Sequence, residues 1–102
     1  MNQPGFQRIS VSKAQELLNN QTCALLDIRD SQSFAQNHVP EASHLDGNNV
    51  DQFLQTADKS QPLIIYCYHG NSSQSAAQYF SEQGFSEVYS VDGGFEVWRN
   101  QL

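Results

Sequence analysis

Cys67-Tyr68-His69-Gly70-Asn71-Ser72-Ser73 is the segment best equipped for chemistry. Its cysteine follows a continuous apolar run, Leu63-Ile64-Ile65-Tyr66, and precedes a helical pattern, so the thiol belongs between a strand end and a helix start. The first turn of a helix leaves several N–H groups without intrahelical partners and carries partial positive charge. A tight loop folded inward adds further amides and makes an anion nest, and the anion held there is the cysteine's own thiolate. An ordinary thiol titrates near ~8.5, whereas such surroundings commonly lower it to ~3.5–7.5. The thiolate is the nucleophile, so this placement turns an inert side chain into a reactive one. A cysteine at a strand end also serves as a small buried hydrophobe. The composition of the loop favours the reactive reading, because Tyr68, His69, Asn71, Ser72 and Ser73 supply donors and no apolar filling. Gly70 gives the backbone the freedom to curl round one sulfur.

Two chemistries use a cysteine cradled in this way. One attacks a phosphoryl group, the other a sulfane sulfur. Cysteine phosphatases place an arginine six residues after the nucleophile, because a phosphate dianion demands a bidentate cation. Here the sixth residue after Cys67 is Ser73 and the seventh is Gln74, and no Lys or Arg occurs between Lys59 and Arg99. A phosphatase or arsenate reductase is disfavoured on that ground.

The elements that must hold this loop alternate between short apolar runs and helical spacing. Phe6–Ile9 predicts a first strand; Ser10 then reads as an N-cap for a helix carrying Val11, Ala14, Leu17 and Leu18. Cys23–Ile28 reads as a buried strand, Ser31–Asn37 as a short helix with Phe34 and Ala35 inward, and Ser43–Leu45 as an edge strand. Asn49–Thr56 predicts a helix with Val50, Phe53 and Leu54 on its inner face. Strand Leu63–Tyr66 leads through the loop to a helix capped by Ser72 or Ser73, with Ala76, Ala77 and Phe80 on one face and Gly84 as its stop. Strand Val88–Val91, a turn at Gly93-Gly94 and a short helix with Phe95, Val97 and Trp98 complete the chain. Strands that are apolar on both faces and alternate with helices predict one α/β domain over residues 1–102, with an open parallel five-stranded sheet and helices on both faces. Ligands bind such sheets at the carboxyl ends of the strands, where Cys67, Asp27 and Arg29 all fall. Cys23 starts its strand at the opposite edge, beyond disulfide reach of Cys67, so both thiols are expected free.

Composition sets the outer bounds. The chain has 102 residues, 38% hydrophobic and 16% charged, enough for one core without disulfide or metal. Five basic residues against eleven acidic ones leave a net charge of −6. With Arg8, Lys13, Arg29, Lys59 and Arg99 scattered singly, neither nucleic acid nor an anionic membrane is an expected partner. The opening segment has no basic stretch followed by an apolar run, and the longest apolar run is far short of the ~18 residues of a membrane span. A cytoplasmic soluble domain is the expectation.

The loop from Cys67 to Ser73 resembles the active-site loop of the rhodanese (sulfurtransferase) family. Leu26-Asp27-Ile28-Arg29-Asp30 with Phe34 and His38-Val39-Pro40-Glu41-Ala42 resembles that family's upstream signature. Val88-Tyr89-Ser90-Val91-Asp92-Gly93-Gly94-Phe95 with Trp98 resembles its C-terminal one. The match runs in order over nearly the whole chain and is nearest the single-domain GlpE-type thiosulfate sulfurtransferases. It implies a rhodanese-like domain in which Cys67 attacks the outer sulfur of thiosulfate, releases sulfite and carries a persulfide, which cyanide or a thiol then removes. The amides from Tyr68 to Ser73 would hold the negative charge. Neither cofactor nor metal is implied. A thioredoxin-like protein is an implied acceptor, and a persulfide relay to a protein thiol is the alternative reading. Asn37, Glu41 and Gln74 depart from the pattern, the first two where the family has glycines and the last where close relatives often carry a basic residue.

The remaining polar residues have plainer readings. Asp27 and Arg29 can tie neighbouring loops together, or Arg29 can steer anions toward Cys67. His69 can lend positive charge to the thiolate or simply shape the loop. His38 and His44 lack metal-ligand spacing and read as turn and surface residues, and Phe95 and Trp98 as core anchors.

Overall fold

Between Leu63 and Tyr66 every side chain is buried, the condition of a strand with neighbours on both edges and layers on both faces. The computed structural model, which describes residues 5–102, places this strand at the centre of five. In chain order the elements are β1 (Gln7–Ile9), α1 (Val11–Asn20), β2 (Ala24–Asp27), α2 (Ser31–Gln36), β3 (Ser43–His44), α3 (Val50–Thr56), β4 (Leu63–Tyr66), α4 (Ser72–Glu82), β5 (Val88–Val91) and α5 (Gly94–Trp98). A short 3₁₀ turn, Arg99–Gln101, follows. The strands pair in the order β1-β5-β4-β2-β3, all parallel.

The two-residue period of the strands divides the core in two. Ile64 and Tyr66 of β4, with Leu25, Tyr89 and Val91, pack against Val11, Ala14 and Leu17 of α1 and against Phe95 and Trp98. Leu63 and Ile65, with Leu26 and Val88, face Ala77 and Phe80 of α4 and the Val50, Phe53 and Leu54 stripe of α3. The expected helices on both faces are therefore present, and the chain is a single α/β domain. Among the described residues no helix is long and apolar enough to cross a membrane.

Ser10 caps α1 as expected, its hydroxyl accepting from the Lys13 amide at 3.1 Å. Gly84 ends α4 at φ +102°. Three expectations need correction. Strand and helix ends differ by one or two residues, as where β1 begins at Gln7 rather than Phe6. Ala35 is exposed, because six residues of α2 turn only Phe34 toward the core. Neither Ser72 nor Ser73 caps α4: Asn71 occupies the cap position without a side-chain bond, and the amide of Ser73 is used by the cysteine sulfur instead.

Candidate active site

β4 delivers Cys67 to the carboxyl edge of the sheet, and the chain then curls back on itself before entering α4. The cysteine is only 6% exposed, yet its sulfur lies among polar groups. Sγ accepts hydrogen bonds from the amides of Gly70 at 3.2 Å and Ser73 at 3.3 Å, and Ser73 Oγ lies 3.4 Å away. Burial pushes the thiol's pKa up. The Ser73 hydroxyl and the amides of Ser73, Gly70 and His69 outweigh it and hold the group below its ordinary value. Of the loop amides expected to surround the sulfur, those of Gly70 and Ser73 make the close contacts.

The curl depends on glycine at two places. Gly70 sits at φ +91°, and a Cβ there would meet Val91 O and Gly93 N at 3.0 Å. Gly94, at φ +57°, passes so close that a Cβ would lie 2.4 Å from the Cys67 carbonyl oxygen. The Gln74 side chain closes the loop from inside, Nε2 donating to Gly70 O at 2.9 Å.

A cavity of about 390 Å³ opens over the sulfur, lined by Ile28, Arg29, Asp30, Cys67, Tyr68, His69, Asn71 and Ser72. Arg29 is its one Arg or Lys, and that charge is already engaged. Its side chain is 4% exposed and bonds both oxygens of fully buried Asp27, with Nη2 at 2.7 Å from Oδ2. It also donates to Asn37 O at 2.6 Å and lies 4.0 Å over the Phe95 ring. The pair therefore ties β2 to the α2–β3 connection, and the structural role is the one the contacts support.

Tyr68 projects outward, and its hydroxyl donates to Asp30 Oδ1 and also meets Ser33 Oγ. The Tyr68 hydroxyl, then the amide and hydroxyl of Ser33, lower the Asp30 carboxyl to about 2, so the rim of the cavity carries a fixed negative charge. His69 and Ser72 are exposed beside it. His38 stacks on Phe34 with ring centroids 3.8 Å apart in the α2–β3 connection, whereas His44, expected at the surface, lies half-buried in β3 with Nε2 2.6 Å from Arg29 O. No group of three metal-ligating side chains occurs among the described residues. Cys23 is a free thiol at the opposite edge, pushed up in pKa by burial and then by Glu87.

Two contributors escaped the sequence reading. Asp30 doubles as the α2 cap and the partner of Tyr68. Ser90 places its hydroxyl 2.7 Å from Ser73 Oγ behind the sulfur. A lone serine in an otherwise apolar strand was the available signal for Ser90; nothing local says which loop it meets.

The Rhodanese-like domain family model matches residues 10–101. The thiosulfate sulfurtransferase GlpE of Ectopseudomonas mendocina is 57% identical over 94 residues, covering 92% of this chain and 85% of that protein. The protein of the same name from Pseudomonas aeruginosa is 54% identical over 95 residues, covering 93% and 86%. Among solved structures, a rhodanese-like domain protein from Staphylococcus aureus superposes with TM-score 0.78 at 21% identity, covering 91% of each chain. A rhodanese-like domain from Anabaena sp. superposes with TM-score 0.81 at 19% identity, covering 98% of this chain and 76% of that one. With the sheet order, the Cys67 loop and these matches in agreement, the chain belongs to the rhodanese-like domain family.

Proposed function

We propose that the protein is a thiosulfate sulfurtransferase that works by double displacement through a persulfide on Cys67. The thiolate attacks the outer sulfur of thiosulfate, the S–S bond breaks, and its electron pair leaves on sulfite. The product, Cys67–S–S⁻, then gives its terminal sulfur to cyanide, forming thiocyanate, or to a thiol, and the thiolate returns. The observation that carries this reading is the sulfur's setting: two amides and a hydroxyl at 3.2–3.4 Å, with no unpaired guanidinium or ammonium in the cavity. Those donors stabilise a thiolate and a singly charged persulfide, whereas a phosphoryl dianion lacks its bidentate cation. The names of the curated relatives point to the same donor.

The binding loop in this reading is Tyr68, His69, Gly70, Asn71, Ser72 and Ser73. The acceptors are cyanide, small thiols or the thiol of a thioredoxin-like protein, and a relay of sulfur to a protein thiol uses the same intermediate. Two free thiols at opposite sheet edges suit a reducing, cytoplasmic setting. The test is thiocyanate formation from thiosulfate and cyanide by wild type and Cys67→Ser. The variant is expected to keep the wild-type circular dichroism spectrum and lose activity by orders of magnitude; residual turnover within tenfold of wild type would end the proposal.

A further inference from the structure

Ser90 sits in the middle of β5 with its side chain fully buried. By strand alternation it shares a face with Val88, which packs in the α4 core. A hydroxyl buried there loses its hydration and needs a partner. The partner is Ser73 Oγ, 2.7 Å away in the first turn of α4 and itself fully buried. Ser73 Oγ in turn lies 3.4 Å from Cys67 Sγ. Three polar atoms thus form a chain of two links that ends on the nucleophile.

The proton count of that chain differs between the two states of the sulfur. With a thiolate, the Ser90 hydroxyl donates to Ser73 Oγ and the Ser73 hydroxyl donates to Sγ, so both protons have acceptors. With a thiol, Sγ donates to Ser73 Oγ, three protons share two links, and one has no acceptor within the chain. The arrangement in which both O–H dipoles point toward the sulfur satisfies every proton only when the sulfur is an anion, and each link strengthens the other.

We propose that Ser90 is a positioning residue for Cys67: it turns the Ser73 proton toward Sγ and so favours the ionised nucleophile. The inference rests on the sulfurtransferase reading only in taking Cys67 as the nucleophile. The charged groups around the sulfur leave this role to the hydroxyls. Arg29 and Asp30 from the β2–α2 connection and His69 from the loop line the cavity, Arg29 being paired with Asp27. β4 and β5 carry no charged side chain, and α4 carries none before Glu82. Asp92, just past β5, pairs with Arg8, and Glu96 of α5 pairs with Arg99.

The test is the pH dependence of Cys67 alkylation by iodoacetamide, read by peptide mass so that Cys23 is scored separately. Ser90→Ala is expected to raise the midpoint by about half a pH unit, about a threefold slower reaction below both midpoints. In a Ser73→Ala background the same change is expected to add nothing, because Ser90 acts through Ser73. An unchanged midpoint in Ser90→Ala, or an equal shift in both backgrounds, would overturn the proposal. Circular dichroism and melting curves verify that each variant is folded. Should Ser90→Ala fail to fold, the isosteric pair Ser90→Thr and Ser90→Val is compared instead: a midpoint higher in Ser90→Val than in Ser90→Thr supports the proposal, and equal midpoints contradict it. Alkylation needs no sulfur donor, so failure here leaves thiocyanate formation as a separate test of the sulfurtransferase reading.

Discussion

The backbone amide of Phe95 donates to the carbonyl oxygen of Cys67 at 2.8 Å, and the next amide, Glu96, donates to Tyr68 O at 3.0 Å. The start of α5 therefore docks on the loop that carries the sulfur. Its first amides, which have no partners within the helix, take two carbonyls of the loop. The loop is held by backbone from α5, distant in sequence, while the amides of Gly70 and Ser73 face Sγ.

That docking needs Gly94. Gly94→Ala places a methyl against the Cys67 carbonyl and the Tyr68 backbone, at a positive φ that alanine resists. A destabilisation of about 1–3 kcal/mol is expected, seen as a lower urea midpoint together with slower thiocyanate formation. An unchanged midpoint would mean that α5 does not need this close approach.

The Asp27–Arg29 pair is expected to contribute to stability far more than a surface ion pair. Asp27→Asn leaves the Arg29 guanidinium buried and short of its counter-charge, which costs about 3–5 kcal/mol when such pairs are broken from one side. Equilibrium denaturation in urea reads it directly. A loss below about 1 kcal/mol, the range of an exposed pair, would contradict the structural role assigned to Arg29.

Gln74 sets how well the loop holds an anionic donor. Its amide bonds the Gly70 carbonyl without adding charge, and the rim already carries the Asp30 carboxylate. Gln74→Lys is expected to lower KM for thiosulfate several-fold while kcat changes little, with the gain shrinking as salt is raised. Steady-state kinetics at two ionic strengths decide it; an unchanged KM would mean that a cation at position 74 does not help the loop to hold thiosulfate.

The depressed Cys67 pKa also predicts a pH-dependent stability. Between the folded value and the unfolded value of ~8.5, the folded chain binds fewer protons than the unfolded one, so stability rises with pH across that window. The contribution is complete above the unfolded value and is lost as pH falls through the folded one. The stability of wild type minus that of Cys67→Ser should therefore grow as pH rises toward the unfolded value of ~8.5 and level off above it. Urea denaturation of both proteins reads it, and a gap that shrinks over that range has the wrong sign.

What the sequence revealed follows how local each signal is. The β4 and β5 runs and the Ser10 cap depend on neighbours in the chain, and their positions were legible to the residue. The Cys67 loop was legible because strand, glycine and helix start are contiguous. The cap of α4 was misread because a serine at a helix start looks like a cap, whereas here the sulfur had taken the Ser73 amide. Ser90, Asp30 and the Phe95 amide act on the loop from 17 to 38 positions away. Their partners are set by the packing of β2, β5 and α5 against β4, which no short stretch of chain encodes.

The most direct measurement is intact mass after incubation with thiosulfate and removal of the excess. The account predicts one added sulfur, about 32 Da, located on the peptide containing Cys67, lost on addition of cyanide and absent from Cys67→Ser. Wild-type protein that turns over thiosulfate without gaining that mass, or that gains it on Cys23, would contradict the account.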